Sequence, residues 1–242
     1  FEVLYIDFST GKKYYKQSDE LIGAFHTFVR EYVPHNNVMM TFDARDPSLS
    51  DNFGVVGSPT LSTINNIRAF DMTGGYFTKS LPILNPRILH ICVCVVFETV
   101  SNSIDIALFT HGNSVSNISV SRKDVTNTLN LVVNNHTQSM GMFQDKLNWS
   151  KPGYSYLYSS TIQCSANECT ITSELRGLNN ITNETEVVTF QTDSSDTNTI
   201  DSMGSIGRNS HGKIGYVSYF DFVSDIHLSQ VKQTLFQEWK SE

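Results

Sequence analysis

The sequence predicts an all-β protein that folds as a two-sheet antiparallel sandwich or jelly roll. Short extended segments recur at spacings of about 10–15 residues, and turns rich in Gly, Asn, Ser and Asp separate them. The composition agrees, because only 17% of the 242 residues are charged while 29 Ser, 22 Thr and 20 Asn supply the polar positions. Uncharged polar residues suit sheet faces and loops better than surface helices.

Apolar patterns predict strands along the whole chain, beginning with a strand at 2–9. The others are Val38–Phe42, Ile67–Asp71, Tyr76–Lys79, Ile88–Glu98, Asp105–Thr110, Asn117–Ser121, Thr128–Val133, Tyr154–Gln163, Thr170–Leu175, Glu186–Gln191, Ile200–Ser202 and Lys213–Phe220. No internal repeat or long linker interrupts this series. We therefore assign residues 37–242 to one jelly-roll domain.

Two segments have helical periodicity instead. Apolar residues recur at helical spacing over Ser18–Tyr32, where Ser18 is a suitable N-cap, so residues 1–36 are predicted to form a strand–helix extension. At the other end of the chain, Leu228 begins a second apolar pattern that runs to Trp239. This pattern predicts a short C-terminal helix with Ser229 as its N-cap.

The four cysteines, at positions 92, 94, 164 and 169, allow three complete pairings. Cys92 and Cys94 lie two apart on one face of a strand, where they are poorly placed to bond each other, so we predict two buried free thiols. Cys164 and Cys169 flank a polar stretch between two strand-like segments. We predict a disulfide between them, across the neck of a hairpin. A zinc site would need further ligands at suitable spacing.

The last strand and helix carry a pattern of their own. The segment 212–221 reads Gly-Lys-Ile-Gly-Tyr-Val-Ser-Tyr-Phe-Asp, and Leu228-Ser229 then begins the helix. Together they resemble the closing signature of laminin-G-like domains. Phe70–Phe77 is similar to the early hairpin of that family, and Met39–Asp46 to the strand before it. Tyr154–Leu178, with Cys164 and Cys169 at its turn, resembles the central long hairpin.

This resemblance covers residues 38–242. It implies the jelly roll of the wider concanavalin A-like lectin/glucanase superfamily, in which two antiparallel sheets pack together. Glucanases of this superfamily carry carboxylates at alternate positions of one strand. Glu184 and Glu186 come closest to that array, but no further carboxylate follows in register. Ser173–Arg176 is similar to one motif of jelly-roll alginate lyases, whose companion motifs are absent, so we predict no enzymatic activity.

The resemblance also directs attention to calcium, because loops at the rim of laminin-G-like sandwiches often hold one ion. Calcium takes several oxygen ligands, chiefly carboxylates and carbonyls. Two loops rich in such groups are present, one with Asp43 and Asp46 and one with Asp193 and Asp196. Solvated turns also favour Asp, so the alternative is that both loops are plain turns.

Aromatic residues near the central hairpin are the predicted ligand contacts. Tyr154 and Tyr156 share one strand face and could stack on a sugar, although the same face continues into Ile162 and Cys164, which indicates that it packs inward. Trp149 lies in a polar stretch and is the better candidate for an exposed ring.

Five Asn-x-Ser/Thr sequons occur, and about four are expected by chance from this composition. They are predicted glycosylation sites if the chain is secreted. Their asparagines are Asn117, Asn135, Asn148, Asn180 and Asn183.

These observations favour a non-enzymatic extracellular module for adhesion or lectin-like binding, which recognises a glycan or another protein. The net charge of −7 argues against a nucleic-acid partner. The longest apolar run, Ile88–Phe97, is too short to span a membrane. No signal peptide is visible in this chain, and we expect a secreted or surface-associated protein. The alternatives are a structural subunit of a coat, filament or viral particle that forms a homo-oligomer through its N-terminal segment, and a polysaccharide-degrading enzyme.

Overall fold

A computed structural model of the chain describes residues 2–7, 12–17, 38–85, 89–99, 106–113, 117–123, 128–133, 136–140, 153–165, 168–179, 183–191, 199–208, 210–221 and 225–240. The chain divides into two compact units, Phe1–Val38 and Met39–Glu242. The assignment of residues 1–36 and 37–242 to separate domains stays a prediction.

The first unit contains a β-hairpin. Strand β1 (Glu2–Asp7) pairs antiparallel with β2 (Lys12–Gln17). The sequence predicts β1 but not β2, whose letters Lys-Lys-Tyr-Tyr-Lys-Gln show no apolar alternation. The helix predicted over Ser18–Tyr32 lies outside the described residues.

The second unit consists mainly of strands, and its described elements include one short and one long helix. In chain order they are β3 (Val38–Asp43), α1 (Leu49–Asn52), β4 (Gly54–Gly57), β5 (Thr60–Ile64), β6 (Ile67–Asp71), β7 (Gly75–Ser80), β8 (Leu89–Thr99), β9 (Ile106–Gly112), β10 (Asn117–Lys123), β11 (Thr128–Val133), β12 (His136–Met140), β13 (Ser155–Cys164), β14 (Glu168–Gly177), β15 (Asn183–Gln191), β16 (Met203–Ile206), β17 (Gly212–Asp221) and α2 (Asp225–Trp239). None of the helices in the described ranges has the length and apolar character that a membrane crossing requires.

Two antiparallel sheets form the sandwich. One has seven strands in the order β12-β11-β10-β9-β16-β7-β4, and the other has eight. The order of the eight-stranded sheet is β15-β14-β13-β8-β17-β6-β5, with β3 also paired to β17. Strands far apart in sequence are neighbours in both sheets, as in the pairs β9–β16 and β8–β17, so the chain passes repeatedly from one sheet to the other. The predicted jelly-roll sandwich is confirmed.

The core lies between the sheets, and strand alternation selects the residues that fill it. In β14, Cys169, Ile171 and Leu175 are buried, whereas Thr172 between them is exposed. Aromatic rings make up one end of the core. The ring centroids of Phe42 and Phe53 are 5.6 Å apart. Phe77 contacts Phe42 and Phe70 in the same cluster of rings. Each fully buried ring contributes about 1.5–3 kcal/mol.

Helix α2 packs on the outer face of the eight-stranded sheet, over β8 and β13. Its buried side chains are Leu228, Leu235 and Trp239, which lie on one side of the helix at spacings of seven and four residues. The helix therefore turns one apolar stripe to the sheet, with Val231, Lys232 and Phe236 half-buried beside it.

Three predicted features are wrong in detail. Phe70–Phe77 is not a hairpin, because β6 and β7 belong to different sheets and the turn between them is a crossover. Ser229 is not an N-cap, because α2 already begins at Asp225. The strand predicted over Ile200–Ser202 begins later, at Met203, while Ile200 forms an isolated bridge with Leu84.

Candidate functional site

A polar groove lies on the outer face of the eight-stranded sheet, beside α2. Its volume is about 440 Å³, within the range of small-molecule sites. The strands β13, β14 and β15 supply Ser159, Thr161, Gln163, Thr170, Thr172, Glu174 and Thr185. The helix supplies Asp225, Leu228 and Lys232. These ten residues define the polar groove.

The floor of the polar groove is a ladder of polar cross-strand pairs between β13 and β14. The pairs are Gln163 with Thr170, Thr161 with Thr172, and Ser159 with Glu174. Alternate residues of a strand point to one face, so the three pairs are about 7 Å apart and the ladder is about 14 Å long. On the next strand, Thr189 is opposite Thr170, and their hydroxyl oxygens lie 3.1 Å apart.

The opposite face of the same hairpin belongs to the core, and this fixes which side chains reach the groove. Tyr158 is buried, and its hydroxyl lies 3.0 Å from the hydroxyl of Ser173 on the neighbouring strand. At the turn, Cys164 pairs with Cys169 and the two are joined by a disulfide. A slip of one residue would turn the polar ladder inward, so burial and the disulfide together hold its register.

Helix α2 forms one wall of the groove and is tied to β14. The Lys232 ammonium donates a hydrogen bond to the Glu174 carboxylate. Two residues further along β14, the Arg176 guanidinium donates to the Gln233 side-chain oxygen at 3.3 Å and lies 3.3 Å from the centre of the Phe236 ring. Helix α2 is therefore held to β14 at two successive outward-facing positions, Glu174 and Arg176.

The chemistry of the groove is that of hydroxyl, amide and carboxylate groups. Hydroxyl side chains both donate and accept hydrogen bonds, and ionised carboxylates accept them. Glu174 and Asp225 carry negative charge while Lys232 is positive, so the formal charge of the described lining is −1. No aromatic side chain is among the described residues that line the groove. The groove therefore suits a ligand that is rich in hydroxyl groups.

A second cavity, of about 260 Å³, lies beside the edge strand β4. Its lining is largely apolar, with Leu49, Val55, Phe70 and Phe77, and the cation Arg68 is at its margin. Its described lining offers a ligand few polar partners. The polar groove is accordingly the stronger candidate for recognition of a polar molecule.

The predicted aromatic contacts are not part of the polar groove. Tyr156 is fully buried, with its ring 5.6 Å from that of Phe97, so its role as a ligand contact is corrected to that of a core residue. Tyr154 is half-buried and packs against the core. Trp149 lies outside the described residues, and its role stays a prediction.

Two of the four carboxylates that were predicted to bind calcium lie in the described residues, and both have other hydrogen-bond partners. Asp43 accepts hydrogen bonds from the Arg45 guanidinium at 2.7 and 2.8 Å. Asp46 accepts bonds from Ser48, which lower the pKa of this carboxyl. Asp193 and Asp196 lie outside the described residues. In the described ranges no group of three or more His, Cys, Asp or Glu side chains could hold a metal, and calcium stays a prediction.

The cysteines and sequons have the following places. The disulfide between Cys164 and Cys169 is present, and Cys92 and Cys94 are free and buried. Asn183 is exposed at the start of β15, whereas the amide nitrogen of Asn117 donates to the Asn113 carbonyl at 2.8 Å. The three remaining sequon asparagines lie outside the described residues, and glycosylation stays a prediction. They are Asn135, Asn148 and Asn180.

Sequence reasoning missed the polar groove. The signal that could have located it is the alternation of polar residues in β13 and β14, at 159, 161 and 163 and at 170, 172 and 174. That pattern marks a face directed away from the core. It does not show that the two strands pair in this register or that a helix more than fifty residues later walls the face.

Comparison with solved structures finds related architecture. The crystal structure of the botulinum neurotoxin serotype D binding domain aligns with a TM-score of 0.56 at 10% identity, over 82% of this chain and 52% of that chain. The binding domain of botulinum neurotoxin DC in complex with SialylT aligns with a TM-score of 0.53 at 13% identity, over 82% and 51%. The lectin UEA-II complexed with galactose has a TM-score of 0.48 at 12% identity, over 76% and 98%.

No family model and no curated protein matches the sequence of this chain. The chain spans about half the length of the neurotoxin binding domains that it resembles. The similarity shows the fold alone, which is a two-sheet antiparallel jelly-roll sandwich. The narrower assignment to laminin-G-like domains stays a prediction.

Proposed function

We propose that this protein is a non-enzymatic, lectin-like module that binds carbohydrate in the polar groove. The observation that carries the proposal is the ladder of hydroxyl, amide and carboxylate side chains across β13 and β14, in a groove of about 440 Å³. Sugars present many hydroxyl groups, and a fixed array of hydrogen-bonding side chains can match them without chemical reaction. The strands hold that array because their other face is packed into the core.

The similar solved structures give general support. Two of them are binding domains of toxins, and one is in complex with SialylT. Because this chain spans only about half their length, their binding sites are not transferred to it. A secreted or surface-associated location belongs to the proposal and is supported by the disulfide, since disulfides persist in oxidising compartments.

The proposal is tested by glycan-array binding of the full chain and of two threonine variants. Thr172 is exposed on the groove floor, and Thr172→Val removes one hydroxyl while keeping the shape of the side chain. Thr60→Val is the matched control, because Thr60 is also exposed on a strand but lies outside the groove. We expect wild-type binding to a set of glycans, at least a fivefold loss with Thr172→Val and no loss with Thr60→Val, since an unpaired ligand hydroxyl costs about 1 kcal/mol or more.

Two results would overturn this function. One is that no glycan binds to the folded protein, and the other is that both variants bind equally well. The proposed lack of enzymatic activity is tested separately, by incubating the oligosaccharide with the protein and following the mass of the oligosaccharide. An unchanged mass is expected, whereas chain cleavage would favour a polysaccharide-degrading enzyme.

A further inference from the structure

Building on the proposed function, we infer that the ligand is a short, uncharged oligosaccharide aligned with the cross-strand ladder, and that the Asp225 carboxylate discriminates against anionic sugars. The inference concerns the class of glycan. It depends on the length of the ladder, the balance of charges around it and the absence of a stacking platform in its described lining.

The dimensions of the floor favour a chain of sugars over a single ring. Three polar pairs follow one another along β13 and β14, and they span about 14 Å at the rise of an antiparallel strand. The first pair, Gln163 with Thr170, lies next to the disulfide, and the last, Ser159 with Glu174, lies beside the helix. In the last pair Ser159 is buried, so a ligand reaches that pair through the half-buried Glu174. A ligand that contacts all three pairs must extend along the strands.

The charges of the lining favour a neutral ligand. Lys232 is bonded to Glu174, so this pair contributes no net charge. Asp225 is exposed at the start of α2, and the described part of the chain offers it no ion-pair partner. A carboxylate, sulfate or sialic acid on the ligand would meet the negative charge of Asp225. At about 4 Å in a water-like medium the repulsion amounts to about fivefold in affinity.

The lining also predicts how affinity is distributed along the ligand. Leu228 is the single apolar side chain of the described lining, so binding depends on hydrogen bonds more than on stacking. Each net hydrogen bond is worth about fivefold in affinity. Affinity should therefore rise with each sugar added until the ladder is covered, and then level off.

The experiment uses the full chain on an array of neutral oligosaccharides of one to six units, printed beside sialylated, sulfated and uronic acid counterparts. The matched soluble pair is lactose and 3′-sialyllactose. Asp225→Asn is compared with wild type and with Asp51→Asn, which removes an exposed carboxylate of α1 outside the groove. We expect wild type to bind neutral glycans at least fivefold more strongly, with affinity levelling off after a few units.

We expect Asp225→Asn to reduce the neutral-over-anionic preference by about fivefold, chiefly by raising the affinity for anionic glycans, whereas Asp51→Asn should keep the wild-type preference. Added salt should reduce the preference in wild type as well. Preferred binding of anionic glycans, or full affinity for monosaccharides, would overturn this inference while leaving carbohydrate binding intact. An unaltered preference in Asp225→Asn would overturn the role of that carboxylate. Binding of no glycan at all would remove the proposed function itself.

Discussion

Gly215 lies directly beneath the indole of Trp239. A β-carbon added to Gly215 would come within 2.4 Å of the Cη2 and Cζ3 atoms of that ring. Trp239 is fully buried, and the Arg45 guanidinium lies 5.2 Å from the ring centre. The close approach of β17 to the end of α2 therefore depends on a residue with no side chain. It also coincides with an irregularity in the pairing of β17 and β8 between Ile214 and Tyr216.

We predict that Gly215→Ala lowers the free energy of unfolding by about 1–3 kcal/mol, the range of overpacked cores. The measurement is urea denaturation of the variant and of wild type. Trp239→Phe supplies the control, because the smaller ring vacates the space that the new methyl group needs. In the double variant the two losses should be less than additive. If the losses in the free energy of unfolding add to within about 0.5 kcal/mol, the methyl group and the indole are not in contact.

His111 and Tyr219 join the two sheets through the core. His111 is on β9 and Tyr219 on β17, and the His111 Nδ1 atom lies 3.0 Å from the tyrosine hydroxyl. Both side chains are fully buried. Burial lowers the pKa of His111 from 6.5 to about 4, although nearby backbone carbonyls oppose the shift. Burial likewise raises the pKa of Tyr219 well above its usual value, so the phenol stays protonated.

This histidine predicts a loss of stability in mild acid. The unfolded chain takes up the proton below about pH 6.5, while the folded protein resists it until about pH 4. Its contribution is therefore complete above pH 6.5 and falls by up to about 3 kcal/mol as the pH approaches 4. Urea unfolding from pH 7.5 to 4.5 measures the slope. His111→Asn should reduce the slope of the unfolding free energy against pH by the equivalent of up to one proton. Parallel slopes in the two proteins would show that His111 does not cause the loss of stability in acid.

The two free thiols should be unreactive in the folded protein. Cys92 and Cys94 lie on β8 with no exposed surface, and burial raises the pKa of both, that of Cys94 to about 12. Because the thiolate is the reactive form, alkylation at pH 8 should be negligible without denaturant. Mass spectrometry should find two labels after denaturation and four after denaturation with reduction. Labelling of the native protein, or four labels without reductant, would contradict this arrangement.

Strong local patterns made much of the fold predictable. Ile67–Asp71 and Thr128–Val133 have the bounds that the sequence predicts, because apolar residues and flanking turns delimit them clearly. β4 escaped prediction because Gly-Val-Val-Gly is short, bounded by glycines and exposed throughout. Sequence reasoning also missed β5, which is the edge strand of the other sheet. Its apolar Leu61 is exposed, so the strand has no clear alternation of buried and exposed residues. Edge strands lack the two-sided burial that makes central strands such as β8 recognisable.

The candidate site was less accessible to sequence reasoning. Ser159, Thr161 and Gln163 could be assigned to one strand face by parity alone. Their partners on β14 depend on the register of the hairpin, and the wall depends on where Lys232 meets Glu174, 58 residues away in sequence. Tyr156 misled because an aromatic repeat suits both a binding platform and a core. The continuation of its face into Ile162 and Cys164 already favoured packing in the core, and the burial of Tyr156 against Phe97 agrees with that interpretation.

The disulfide is expected to stabilise the hairpin that carries the polar groove. It joins Cys164 and Cys169 at the last cross-strand pair of β13 and β14, five residues apart in sequence. Closing so short a loop lowers the entropy of the unfolded chain by an amount worth about 2 kcal/mol. The variant in which both cysteines become alanine should therefore unfold at a lower urea concentration.

Reductant provides the matched control for this last prediction. It should destabilise the wild-type protein and leave the double-alanine variant unaffected. Gln163 and Thr170 form the neighbouring pair of the ladder, so loosening of the turn should weaken glycan binding most at that end of the polar groove. Longer oligosaccharides should lose more affinity than shorter ones. Equal sensitivity of the two proteins to reductant would show that the bond between Cys164 and Cys169 does not contribute to the stability of the hairpin.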